Sequence, residues 1–246
     1  MKNILATDNL EVLRHFARSR TVLAFDFDGT LAPIAATPEQ AEMRASTRKL
    51  LARTAKVYPC AVISGRARAD ALRKLDGVGL FEVIGNCGVE PWQVSAGIAR
   101  EVRRWRPILE RRLSGLDGVT IEDKVYSLSV HYRHSPEKKK ARAAIARAVA
   151  SLGDVRVVAV KHAVNLQSRR APDKGMALES LRARFGCQTA VYVGDDDTDE
   201  DVFALDQPRR LLSIRVGRST ASLAATGQWM PRAGSSQRRP RSWSGE

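Results

Sequence analysis

No run of about 18 consecutive apolar residues occurs in this 246-residue chain, so no membrane-spanning helix is expected. Residues 1–19 lack the apolar core of a signal peptide, because Lys2, Asp8, Glu11, Arg14 and Arg18 interrupt them. The segment reads instead as a short amphipathic helix that turns Leu10, Leu13 and Phe16 inward. Cysteine is scarce. Cys60, Cys87 and Cys187 are widely spaced and form no C-x-x-C pair, which argues against both a disulfide framework and a zinc site. A reducing, cytoplasmic setting is expected, with Cys60 and Cys187 as small buried residues. Negative charge is also in the minority: 27 acidic side chains face 41 basic ones, a formal net charge of +14. That balance invites a nucleic-acid partner. The cations are spread along the whole chain, however, with no zinc finger, no RNP signature and no basic-aromatic interleaving. Neither a nucleic-acid nor a membrane partner is expected.

What the chain does have is a succession of apolar strand-like runs that end in polar residues. Thr21 to Phe25 is apolar throughout, as a strand buried on both faces requires, and Asp26-Phe27-Asp28-Gly29-Thr30-Leu31 follows it. In an open parallel sheet the carboxyl edge is where ligands bind. Asp26 and Asp28 are two apart, so on an extended chain they point the same way. Two acids beside a divalent cation can divide the work of displacement: one attacks, and the other donates a proton to the leaving group. Asp and Gly are ordinary turn residues too, so the motif needs support from elsewhere.

The organisation supplies some. Strand-like and helix-like segments alternate over the first 90 residues: helix at Thr47–Ala55, strand at Val57–Ile63, helix at Ala67–Leu75, strand at Phe81–Ile84. This periodicity with short connections predicts a doubly wound parallel sheet, an α/β Rossmann-like core. Near Pro91 the pattern changes. A basic helix over Ala99–Leu113 precedes strands at Val119–Glu122 and Val125–Arg133. In the second strand Tyr126, Leu128, Val130 and Tyr132 alternate with Ser127, Ser129, His131 and Arg133, which predicts a half-buried antiparallel strand with one polar face. The same alternation sets Glu122 and Lys124 opposite Ser127 and Arg133 unless a turn intervenes. A helix with Ser135 as N-cap, Pro136 at its first position and Gly153 as terminator follows, then a strand at Val155–Val160. Residues 90–171 are therefore expected to be an α+β cap domain inserted into a core formed by 1–89 and 172–228. The core pattern resumes with a helix from Asp173 to about Phe185, a strand at Thr189–Val193 and a last strand at Leu211–Val216. Beyond Gly227 the chain is Arg/Ser/Pro-rich, and 229–246 is expected to be a flexible basic tail.

Three further signals stand at strand or helix ends. Ser64-Gly65-Arg66 follows a strand, where a hydroxyl and a glycine N–H can hold a phosphate oxygen. Lys174 sits at a helix start, where its charge can neutralise a phosphate. The acidic run Asp195 to Asp201 follows a strand, and such a cluster of hard oxygen ligands favours Mg2+.

Taken in order, these residues resemble the haloacid dehalogenase superfamily of phosphotransferases, and within it the trehalose-6-phosphate phosphatase family. The narrower likeness rests on Asp26–Leu31 with Pro33 and Pro38, on Ser64-Gly65-Arg66, and on Gly85-Asn86-x-Gly88-x-Glu90. It continues through Glu122-x-Lys124-x-x-Ser127, His131-Tyr132-Arg133, Asp173-Lys174-Gly175, the Gly194–Asp201 segment and Val216-Gly217. The resemblance implies Mg2+-dependent hydrolysis of trehalose 6-phosphate through an aspartyl phosphate. Asp26 would be the nucleophile, and Asp28 the acid that then activates water. Ser64, Gly65 and Lys174 would bind phosphate. Asp26, the carbonyl of Asp28 and Asp195 would hold the metal, with Asp199 supporting that site or positioning Lys174. Arg66, Glu122, Lys124 and Arg133 would contact the substrate. A small sugar phosphate is the expected partner, acting on a monomer or weak homodimer. Two departures stand out: Cys87 replaces a family histidine, and Asn165–Arg170 replaces a Glu-x-Arg-Pro stretch. They leave open another sugar phosphate or a glycosyl-phosphoglycerate as substrate. A non-catalytic regulatory or nucleic-acid-binding module is the alternative of a different class.

Overall fold

The computed structural model of the chain describes residues 2–91, 96–160, 162–205, 207–217 and 227–229. In chain order its elements begin with β1 (Lys2–Asn3), α1 (Leu10–Arg18), β2 (Thr21–Phe25), α2 (Ala45–Thr54), β3 (Cys60–Ile63), α3 (Arg68–Lys74) and β4 (Glu82–Ile84). Then come α4 (Ala96–Leu113), β5 (Thr120–Asp123), β6 (Ser127–His131), α5 (Lys138–Ala150), β7 (Val155–Val160) and β8 (Ala163–Ser168). The last of the described elements are α6 (Lys174–Arg184), β9 (Thr189–Gly194), α7 (Glu200–Phe203), β10 (Leu211–Val216) and β11 (Gly227–Trp229).

Seven strands form one sheet in the order β1-β11-β10-β9-β2-β3-β4. The five from β10 to β4 run parallel, as the alternation of strands and helices predicts, and β11 and β1 add antiparallel edges. Successive residues of a strand face opposite sides, and the core divides accordingly. Ala61, Ile63 and Ile84 pack against Ala177, Leu178 and Leu181 of α6. Their neighbours Val62 and Val83 pack against Leu51 of α2 and Ala71 of α3. Helices thus cover both faces of a doubly wound sheet. Along α1, Phe16 is buried with Ile4 and Leu212, with Val12 and Leu13 packed beside them, whereas Leu10 is only half-buried. Cys60 and Cys187 are buried and unbridged, as expected. No helix among the described residues is long and apolar enough to cross a membrane.

The second sheet is antiparallel, β5-β6-β8-β7, with α4 and α5 packed on one face through Val102, Trp105, Leu109, Ile145 and Leu166. Its other face is polar. Ser127 and Ser129 on that face are 5% and 1% exposed, so the polar side of β6 is buried rather than solvated. Ser127 Oγ donates to Asn86 Oδ1 of the first sheet's loops at 3.3 Å, which shows what covers it.

Several sequence expectations need correction. Val57–Pro59 do not belong to β3. Val57 N–H closes the end of α2 on the Thr54 carbonyl, and Val57 is 73% exposed. Ser135 does not cap α5. Its N–H closes a turn on the Tyr132 carbonyl, and the first helical bond is Ala141 N–H to Glu137 O, so the helix starts at Lys138. Strand β8 was not foreseen, because polar Asn165 and Gln167 interrupt its apolar residues. Glu122 lies on the same face as Ser129, its register partner, not opposite it. The reason is a tight reversal: Val125 takes φ 71°, a conformation that a β-branched residue rarely adopts. Trp229, placed at the start of the flexible tail, belongs to strand β11 (Gly227–Trp229). Residues 230–246 lie outside the described residues.

Candidate active site

The chain winds from β2 to β3 and β4 on one side, and β9 and β10 lie on the other. The winding therefore reverses between β2 and β9, and loops leaving their carboxyl ends diverge to open a crevice. Asp26 is the first residue after β2, and Asp195 the first after β9. The Asp26 N–H donates to the Val193 carbonyl at 2.8 Å, tying the two loops together at their roots.

Lys174 occupies the floor of this crevice. It opens α6, whose N-cap Asp173 accepts the Met176 N–H at 2.8 Å. Gly175 allows the helix to come this close, since a Cβ there would lie 2.7 Å from the Asp201 carbonyl oxygen. Lys174 is 1% exposed, and its Nζ donates to Asp26 Oδ1 and Asp199 Oδ1, both at 2.7 Å. Asp199 is itself held from all sides. Its Oδ1 accepts the Tyr192 hydroxyl at 2.6 Å, and its Oδ2 accepts the N–H groups of Asp195 at 2.9 Å and Asp196 at 3.1 Å. Asp199 thus positions Lys174.

Burial disfavours the Lys174 ammonium, but Asp26, Tyr192 and Asp199 outweigh it and hold its pKa well above the ordinary lysine value. Burial also opposes ionisation of Asp199, yet Lys174 and Tyr192 bring its pKa down. For Asp26 the balance goes the other way: burial, aided by Asp199, pushes it up to about 8 against the pull of Lys174. One ammonium thus serves more than one carboxylate, and Asp26 is short of positive charge. A divalent cation would supply it. Oxygen atoms of Asp26, Asp195 and Asp199 lie within 4.8 Å of one another, a hard donor set suited to Mg2+. With Asp199 occupied by four donors, Asp26 and Asp195 are the side chains best able to face an ion. Gly29, at φ 93°, brings the loop close here: a Cβ would fall 2.2 Å from an Asp195 oxygen.

Asp28 sits on the turn after Asp26, which the Leu31 and Ala32 N–H groups close on the Phe27 carbonyl. Arg66 grips it as a fork, Nε to Oδ2 and Nη2 to Oδ1, each at 2.7 Å. The same guanidinium donates to Asp70 at 2.6 Å and to the Pro38 carbonyl at 2.8 Å. Arg66 was expected at the substrate; its donors are instead engaged with the protein, and it orients Asp28. Ser64 is fully buried at the end of β3, beside β2, and its Oγ accepts the Arg66 N–H at 3.2 Å.

From the second sheet, Glu122 accepts His131 Nε2 at 2.9 Å and pairs with Lys124 at 3.7 Å. Lys124 is near enough to Cys87, at the crevice, to oppose the upward push that burial exerts on that thiol. Arg133 donates to the Ala36 carbonyl, bridging to the loop beyond Asp28. Sequence reasoning missed Tyr192 and Arg156. Tyr192 looks like one more core aromatic. Arg156 of β7 crosses from the second sheet to pair with Asp201, and with Asp173 at 3.8 Å. A lone Arg inside an apolar strand was the available signal for it.

The profile described as trehalose-phosphatase matches residues 24–230. The trehalose-phosphate phosphatase of Mycolicibacterium paratuberculosis is 33% identical over 193 residues, 73% of this chain and 49% of that protein. The probable trehalose-phosphate phosphatase 4 of Oryza sativa subsp. japonica is 26% identical over 227 residues, 85% of this chain and 62% of that protein. The chain thus spans about half to three-fifths of these relatives. The crystal structure of a trehalose-6-phosphate phosphatase related protein superposes with a TM-score of 0.63 at 25% identity, covering 82% of this chain and 88% of the other. The C-terminal domain of Candida albicans trehalose-6-phosphate phosphatase gives a TM-score of 0.65 at 22% identity, covering 81% and 78% respectively, and so shares the fold.

Proposed function

Because the chain belongs to the trehalose-phosphatase family, we infer that it hydrolyses trehalose 6-phosphate to trehalose and inorganic phosphate. The observation that carries this reading is the buried Asp26–Lys174–Asp199 chain beside Asp195 at the sheet's switch point. A buried carboxylate next to a fixed ammonium is arranged to receive a phosphoryl group. Asp26 attacks phosphorus, the bond to the sugar oxygen breaks, and Asp28 protonates that oxygen as it leaves. Asp28 then takes a proton from water, which attacks phosphorus and returns Asp26 to its free form. The Arg66 fork holds Asp28 in place through both steps and leaves each carboxylate oxygen a further lone pair for the proton. Lys174 and the Ser64–Gly65 turn bind phosphoryl oxygens, where negative charge is concentrated in the transition state. Asp26, Asp195 and the Asp28 carbonyl would hold Mg2+, which when bound supplies the charge that lets one anion approach another.

Residues 90–171 act in this reading as a cap inserted into the core of 1–89 and 172–228. Two connections, near Val89–Pro91 and Arg170–Pro172, permit hinge closure that excludes water. Glu122, Lys124 and Arg133 bring polar groups to the sugar from the cap side.

Protein stripped of metal with EDTA is expected to release no phosphate from trehalose 6-phosphate until Mg2+ is added. Ca2+ should serve poorly, since its larger, looser coordination shell would misplace Asp26. With Mg2+ present, trehalose 6-phosphate should be preferred to glucose 6-phosphate and to p-nitrophenyl phosphate. Full activity in metal-free protein would count against the metal. Preference for another ester would count against the sugar.

A further inference from the structure

We propose that Asp70 is a positioning residue that acts through Arg66 to fix Asp28 for proton transfer to the leaving oxygen; this rests on the phosphatase reading above. Asp28 needs such support. It sits on a turn, its side chain is half-exposed, and among the described residues Arg66 alone holds its carboxylate. Arg66 is long and turns about several bonds, so it keeps one rotamer only where contacts offset the entropy of fixing it. Its Nε and Nη2 face Asp28, and its third nitrogen, Nη1, donates to Asp70 Oδ2 at 2.6 Å. The guanidinium is therefore pinned at both ends of its plane. The Phe27 ring backs it, 5.4 Å from centroid to guanidinium carbon.

Asp70 is the anchored end of this chain of contacts. It belongs to α3, where its N–H donates to the Ala67 carbonyl at 3.0 Å, and its Oδ1 accepts Arg73 Nη2 at 3.0 Å. Burial opposes its ionisation, but Arg66 and Arg73 outweigh burial and hold its pKa below the ordinary carboxylate value, so it meets Arg66 as an anion. A helix residue thus steadies a loop carboxylate through one guanidinium. Without Asp70, Nη1 loses its partner and the fork on Asp28 loosens. The chemical consequence depends on the leaving group, because proton donation matters most when that group is strongly basic. A sugar alkoxide needs the proton as it departs, whereas p-nitrophenolate leaves without it.

The test uses Asp70→Ala and Asp70→Asn in the full chain with Mg2+, assayed on phenyl phosphate, p-nitrophenyl phosphate and trehalose 6-phosphate. The two aryl esters differ chiefly in the basicity of the leaving group, so their comparison is free of sugar recognition. Their kcat/KM values report only the steps through the first phosphoryl transfer, where Asp28 is the acid; slower hydrolysis of the aspartyl phosphate lowers kcat alone. In Asp70→Ala the ratio of kcat/KM for phenyl phosphate to that for p-nitrophenyl phosphate is expected to fall about tenfold, because a positioned acid contributes about 10^2- to 10^4-fold and a displacement of about 1 Å forfeits much of it. Asp70→Asn should fall less, since its amide oxygen still accepts from Nη1, and trehalose 6-phosphate should follow phenyl phosphate. A purely structural role predicts a lower Tm and equal losses on every ester. A ratio within about twofold of the parent's in both variants would overturn the proposal. Parent protein active on the aryl esters but not on trehalose 6-phosphate would refute the substrate reading alone, and the aryl ratio would still decide the role of Asp70. Parent protein that cleaves no ester would overturn both.

Discussion

Asp26→Asn is expected to leave a folded protein whose phosphate release is at least about 10^4-fold slower. The amide has nearly the shape of the carboxylate and can still accept Lys174 Nζ, so the crevice should keep its geometry. What it lacks is the nucleophile. Stability should not suffer. A carboxyl whose folded pKa lies above its unfolded value costs stability once the pH exceeds the unfolded value. Burial pushes Asp26 up to about 8, well above the ordinary carboxylate range, so at neutral pH the metal-free native state bears that cost. A neutral amide removes it, and metal-free Tm should hold or rise. Phosphate-release assays and thermal melts check the two halves. Near-normal turnover in the folded variant would mean that another group attacks phosphorus.

Lys174→Met should fail in both respects. Lys174 is the shared donor to Asp26 and Asp199, and all three are buried. Removing one member of a buried charge network leaves the others uncompensated, at a cost of about 3–5 kcal/mol. The raised lysine pKa means its contribution is fully present at neutral pH and would be lost only as the pH rises through that value. Turnover should fall at least about 10^2- to 10^3-fold, the effect of losing one donor to a developing anion. Denaturant unfolding reads the first effect, and phosphate release reads the second. A variant as stable as the parent would show that Asp26 and Asp199 do not depend on the ammonium.

Asp26 and Asp195 were legible because each stands at the end of a regular apolar run, and Lys174 because it opens a helix just after the N-cap Asp173. The parallel core was legible for the same reason: Thr21–Phe25 and Thr189–Val193 are long enough and apolar enough to admit no other reading. The cap was harder. Its inner face is polar and buried, so β8, with Asn165 and Gln167 alternating with Val164 and Leu166, reads as surface or loop. The placement of Glu122 turned on the left-handed conformation of Val125, which no propensity favours. Arg66 looked like a substrate ligand because its partners, Asp28 and Asp70, are 38 and 4 residues away and nothing local announces the fork. Tyr192 and Arg156 act through contacts between separate elements, and only the tertiary structure joins those.

The central claim is that Asp26 carries the phosphoryl group, and chemical trapping tests it most directly. Protein with Mg2+ and trehalose 6-phosphate would be quenched in acid during turnover and reduced with borohydride, which converts an acyl phosphate to the alcohol. Peptide mapping should then find the reduced residue at position 26 in the parent protein and nowhere in Asp26→Asn. Reduction at another aspartate, or at none while turnover proceeds, would contradict the mechanism.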